Sequence, residues 1–269
     1  MHISKASKII FFYYLFIFIW WAVFYFLNIQ GTLGSYLYQF AFGLIPLIGG
    51  ILGLKKSTIW GGLKSKIGTS LFFISAGCIS WGIGQMFWSI LYNIILKVDI
   101  PYPSFADVGY ILAVPLWAIG IIHLSRATGA KHSLKNIKGK ILLFIIPLFL
   151  IALSYYLLVI VARGGAISSN KELSKAFFDF AYPIGDVIIL TLSLLIYGLS
   201  FGYLGGKLKL AILSIIFGFV AMYISDFSFS YTTTVGTYYN GYYPDILFPT
   251  ATMLMVFGVN NFILKGDKS

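Results

Sequence analysis

Charge is what this 269-residue sequence has least of. Asp, Glu, Lys and Arg together make up 10% of it, 59% of its residues are hydrophobic, and mean hydropathy is +0.90. Soluble domains carry about 25% charged residues, so a soluble fold is excluded and little length is left for a soluble domain. Cysteine occurs once, as Cys78 in an apolar run, which rules out an intrachain disulfide and a thiolate metal cluster. The three histidines, His2, His123 and His132, avoid the middle of every apolar run, which argues against a bis-histidine haem inside a bundle. No lysine lies mid-run either, so a retinal Schiff base is not expected. GxSxG, HExxH and phosphate-loop signatures are absent, and YPIGD (182–186) is only a weak likeness of the GxGD of intramembrane aspartyl proteases. These absences leave an expectation of no enzyme activity, no cofactor and no metal.

What is present is a series of apolar runs, each near the roughly 20 residues that cross a bilayer. Eight are predicted: 9–28, 35–54, 68–96, 105–125, 140–162, 178–201, 208–233 and 245–264. The first is too long for a signal peptide and no small-residue cleavage site follows it, so it reads as a retained helix. Fifteen of the nineteen basic residues fall in alternate loops and at the termini; the other four are Lys97, Arg163, Lys171 and Lys175. The positive-inside rule then predicts an inner (plasma) membrane protein with both termini cytoplasmic. The net charge of +11 is thus a topology signal with lipid headgroups as its partner, and nucleic-acid binding is not expected. Acids show the opposite bias. Asp99, Asp107, Glu172, Asp179, Asp186, Asp226 and Asp245 all fall in outer loops or outer portions of helices, and only Asp267 is cytoplasmic.

The halves of the chain match at an offset near 140. Gln39–Pro46 aligns with Asp179–Asp186, Gly77 with Gly218, Gln85 with Asp226, Trp88 with Phe229, Asp107 with Asp245, Tyr110 with Phe248, and Gly120 with Gly258. Four helices per half is an even number, so the halves share one orientation. The predicted fold is therefore all-α: one transmembrane domain of eight helices in two parallel four-helix repeats, about 8–125 and 140–264, related by an axis along the membrane normal.

A charged side chain within hydrocarbon costs at least about 2.5 kcal/mol and normally faces the protein interior or water. Asp186 and Asp226 meet that condition most clearly and are the leading ligand-binding candidates. Asp186 lies two turns, roughly 10 Å, deeper than Asp179, with Tyr182 between them on one helix face. Gln85, Tyr110 and Tyr223 are the expected neighbours, and Asp107 and Asp245 the expected rim. Asp186 and Asp226 also have a structural reading as protonated hydrogen-bonded links between helices, and Asp107, Asp179 and Asp245 one as capping or loop-ordering residues. For Asp107 the pattern Ser104-x-x-Asp107 is a helix-capping box. Tyr238, Tyr239, Tyr242 and Tyr243 read as an interfacial aromatic belt.

Three stretches together, PSFADVGYILAVPLWAIGI (103–121), FDFAYPIGDVIIL (178–190) and ISDFSFSYTTTVGTYYNGYYPDILF (224–248), resemble the eight-helix membrane region found N-terminal to many bacterial GGDEF diguanylate cyclases and some sensor kinases. The recurring pattern there is P-S-x-A-D-x-x-Y, then D-x-x-Y-P-x-x-D, then an aspartate helix ending in Y-x-x-G and a further aspartate. The resemblance spans most of residues 70–260 and implies a membrane sensor. No GGDEF, EAL or kinase segment is present, so the implied output partner is a separate cytoplasmic signalling protein. The leading expectation is a sensor or receptor-like module whose outward-facing acidic pocket takes a small ligand or cation. A proton- or cation-coupled transporter is the alternative, and an intramembrane lipid enzyme a third.

Overall fold

The fold is described from a computed structural model, which describes residues 3–128, 137–161, 165, 173–200 and 208–263. Each predicted apolar run is a helix, and among the described residues there is no strand. In chain order these are α1 (Lys5–Phe26), α2 (Leu33–Ile59), α3 (Lys66–Met86), α4 (Phe105–Ala127), α5 (Ile137–Ser154), α6 (Leu173–Ser200), α7 (Lys209–Thr234) and α8 (Pro244–Asn260). Two of them run on without a break into wider π-helical turns, α3 through Phe87–Leu96 and α5 through Tyr155–Val161. Seven of these helical stretches are long and apolar enough to cross a membrane; α8 has 17 residues.

Helix starts are set by local chemistry. The Ser4 hydroxyl accepts from the Ser7 N–H at 3.0 Å, and Ser65 Oγ accepts from the Gly68 N–H at 2.8 Å. Thr32 and Ser35 cap each other's backbone N–H at the start of α2. Each cap satisfies a donor that the first turn leaves orphaned. Pro244 opens α8, where a missing N–H costs nothing.

The outward faces are apolar. Phe12 is 67% exposed, Ile19 62%, Phe144 75% and Leu148 71%. Apolar surface on this scale has no place in water and fits acyl chains. Facing inward, Phe42, Leu71, Ile74, Ile121, Ile215 and Met255 form one continuous core. Helix pairs approach closely at glycines. A Cβ on Gly77 would stand 2.4 Å from Cδ1 of Trp117 on α4, and one on Gly218 would stand 2.6 Å from Cγ of Met255 on α8. Likewise a Cβ on Gly120 would stand 2.6 Å from Cγ1 of Ile74, and one on Gly258 2.7 Å from Cγ1 of Ile215. Small residues at these positions let the backbones meet, which is how helices associate without a hydrophobic driving force between them.

The connectivity gives the bundle two unlike ends. One carries ten of the twelve described basic residues, Lys5, Lys8, Lys55, Lys56, Lys64, Lys66, Arg126, Lys138, Lys140 and Lys209, while Lys97 and Lys175 lie towards the other. The other carries the 97–104 and 235–243 loops with Asp99, Asp107 and Asp245.

Candidate functional site

At the acidic end the helices part around a cavity of about 550 Å³. α2, α3, α4, α6, α7 and α8 all line it, and the 97–104 and 235–243 loops contribute Ile100, Pro101, Tyr102 and Tyr238. A wider open recess, lined among others by Tyr36, Lys97 and Asp99, shares Trp88, Ile100 and Tyr238 with it and so adjoins its mouth. The deepest lining residues, Trp117, Ile189 and Phe219, are buried and form its floor.

Seven of the eight residues singled out from the sequence line this one cavity: Gln85, Asp107, Tyr110, Tyr182, Asp186, Asp226 and Asp245. The eighth, Asp179, lies on α6, with its side chain outside the described residues. The four lining aspartates divide into two kinds.

Asp107 and Asp245 are engaged by protein donors. Asp107 is 7% exposed. Its Oδ2 accepts from the Ser104 N–H at 2.6 Å and the Ser104 hydroxyl at 2.8 Å, which ties the α4 start as its capping pattern predicts. Its Oδ1 accepts from the Tyr182 hydroxyl at 2.6 Å, so Tyr182 reaches across to α4. Asp245 is 2% exposed and takes three donors: the Gly241 N–H at 2.6 Å, the Tyr238 hydroxyl at 3.0 Å and Gln39 Nε2. Gln39 passes the network on. Its Oε1 accepts from Gln85 Nε2 at 2.9 Å, and Gln85 Oε1 accepts from the Tyr110 hydroxyl at 2.7 Å. Four helices, α2, α3, α4 and α8, are thereby joined along one cavity wall.

Asp186 and Asp226 are different. Asp186 on α6 and Asp226 on α7 line the same cavity as near neighbours. Among the described residues no hydroxyl, amide or backbone N–H donates to either of them. An ionised carboxylate only accepts, so neither group satisfies the other as a carboxylate. Among the described residues no Lys, Arg or His lines the cavity to neutralise them. Tyr223, expected beside them, does line the cavity, but its hydroxyl pairs with Ser154 Oγ at 2.8 Å.

Sequence reading missed Gln39 and Tyr238. Gln39 aligned only as a repeat position, and Tyr238 was grouped with the interfacial belt, whereas it turns inward onto Asp245. The missed signal for both was the polar side chain on the face opposite lipid. Aromatic rings complete the wall. Trp81 stacks against Tyr110 at 5.2 Å and Phe248 at 5.6 Å; Phe229 meets Tyr238 at 4.8 Å, Trp88 at 6.0 Å and Phe248 at 6.1 Å.

These features define a multi-pass helical membrane bundle with an acid- and aromatic-lined cavity at one end. No family model, no curated protein and no solved structure matches the chain.

Proposed function

We propose that the chain is a receptor-like membrane sensor whose acidic cavity opens away from the cytoplasm and takes up a small cation or polar ligand. Occupancy passes through helix shifts to the cytoplasmic ends, where a separate signalling protein reads it. The observation that carries this reading is the contrast among the four aspartates. Two serve as hydrogen-bonded links, while among the described residues no donor reaches Asp186 or Asp226, which line the cavity together. A carboxyl pair without protein donors is a poor strut at membrane depth, and it is what a cation-binding cavity requires. Its volume lies within the roughly 300–1,000 Å³ of small-molecule sites.

Orientation follows the basic residues: the basic end faces the cytoplasm of a bacterial cell and the cavity faces out. In this reading α8 completes an eighth crossing, since 17 residues is near the lower limit of about 17 for a span. The parallel repeat draws support from matched packing. Gly77 against Trp117 and Gly218 against Met255 are equivalent contacts at an offset near 140, as are Gly120 against Ile74 and Gly258 against Ile215. The halves also exchange donors. Gln39 on α2 reaches Asp245 on α8, and Tyr182 on α6 reaches Asp107 on α4, the pairing that a twofold axis along the membrane normal generates. The likeness to the membrane regions of GGDEF proteins agrees with a sensor.

A cation- or proton-coupled transporter is the second reading, favoured by the carboxyl pair itself. The buried floor of Trp117, Ile189 and Phe219 weighs against a through-path. Reconstitution separates the two. Saturable binding of a cation to the protein in nanodiscs, lost in Asp186→Asn and Asp226→Asn, with no flux in proteoliposomes, is the expected result. Carrier-dependent flux of the bound cation would replace sensing with transport.

A further inference from the structure

We infer that the occupant of the cavity is an organic ammonium cation, not an inorganic ion or a neutral solute. This rests on the binding-module reading above and names its ligand class. Three observations converge. The Asp186–Asp226 pair supplies negative charge with no cationic side chain in the described lining. Facing space is walled by rings in contact, Trp81, Tyr110, Phe248, Phe229 and Trp88, and Phe229 lies one turn from Asp226 on the same face of α7. The cavity, at about 550 Å³, has room for a molecule with a body.

An inorganic divalent cation asks for something else. It takes about six to eight oxygen ligands at short, regular distances, and among the described residues no three carboxyl, imidazole or thiol groups stand close enough to share a metal. Two of the four carboxyls are already committed to protein donors. A ring wall offers a metal ion no ligands. An alkylated ammonium uses both parts of the lining. Its charge lies against the carboxyl pair, and its alkyl groups lie on the ring faces, where the quadrupole attracts them further. A neutral solute would leave the pair unpaired, and an anion would be repelled by it.

The test uses the full chain in nanodiscs, with tryptophan fluorescence and calorimetry as readouts. The probes are ethanolamine, choline, tetraethylammonium and benzyltrimethylammonium, each set against 3,3-dimethylbutanol as a neutral isostere and against Na⁺ and Ca²⁺. The expected result is saturable binding of at least one ammonium, at least tenfold tighter than the neutral isostere and the inorganic ions. Asp226→Asn abolishes it. Trp88→Leu weakens it by roughly threefold to thirtyfold, the range of a cation–π contact, with the isostere unchanged. Circular dichroism and gel filtration establish that both variants fold, and Asp186→Asn serves if Asp226→Asn does not. Binding of Ca²⁺ or Na⁺, or of 3,3-dimethylbutanol, in preference to every ammonium overturns the ligand class and leaves a binding module standing. If no probe binds saturably, both this inference and the binding-module reading fall.

Discussion

Replacing Asp226 by Asn and Asp245 by Asn is the same chemical change at one cavity, and the structure predicts opposite consequences for stability. Asp245 accepts from Gly241 N–H, Gln39 Nε2 and the Tyr238 hydroxyl with both of its oxygens. An asparagine has one oxygen to offer. In its best rotamer it keeps the two donors at Oδ2 and turns its NH₂ toward Tyr238, whose hydroxyl can rotate to accept. Two charge-assisted bonds then become neutral ones. Hydrogen bonds to charged groups are worth about 1.5–3 kcal/mol and neutral ones about 0.5–1.5. Side-chain bonds within membrane bundles average only about 0.6 kcal/mol, so the loss should be about 1–2 kcal/mol. Asp226 has no such donors to lose. Its Asn variant instead gives Asp186 an N–H donor where a second carboxyl stood, so stability should hold or rise. With about 2–4 °C per kcal/mol for a chain of this size, Asp245→Asn should melt several degrees below the parent, and Asp226→Asn at or above it. The assay is the apparent melting temperature by intrinsic fluorescence in one fixed detergent at one scan rate, because membrane proteins commonly unfold irreversibly. Asp226→Asn melting as low as Asp245→Asn would refute the reasoning. Asp226 would then be scaffold, and the case for a ligand pair would go with it.

Other outcomes follow from the same geometry. Asp107→Ala should lower stability by about 1–2 kcal/mol, the cost of a lost cap, and Tyr182→Phe by about 1 kcal/mol, since both break the α4–α6 tie seen at 2.6 Å; their double variant should lose less than the sum in the same melting assay. Gly120→Val should destabilise by about 1–3 kcal/mol, because its Cβ meets Ile74 at 2.6 Å; unchanged melting would show that α3 and α4 can part. In a background with Cys78 replaced by Ala, a cysteine at Lys64 should resist an impermeant maleimide on intact cells and one at Thr237 should react; the reverse pattern would invert the proposed orientation. Lys131, Lys171 and Lys268 lie outside the described residues, and the same labelling at those sites should find 171 external and the other two cytoplasmic.

Much of this protein could be read without coordinates. The run of long apolar helices was legible because hydrocarbon thickness imposes a length on apolar runs and leaves no alternative to helix for the backbone within them. The special standing of Asp186 and Asp226 was legible for a related reason: a carboxyl at that depth is too costly to face lipid, so it must turn inward. The start of α4 was legible because Ser104 and Asp107 are three residues apart and cap locally. Tertiary structure alone decided which acids are provided with donors. Asp245 is held by Gln39, 206 residues away, and Asp107 by Tyr182, 75 residues away. No spacing in the chain announces such partners, since they depend on which helices pack and on the rotation of each about its axis. The path of the 235–243 loop turned Tyr238 out of the expected interfacial belt and onto Asp245, and helix rotation set Trp81, Phe229 and Phe248 against one another in one wall. Hydropathy determines that a residue avoids lipid; it does not determine what that residue meets inside. The difference between an aspartate tied by donors from other helices and one that no described donor reaches is a matter of packing.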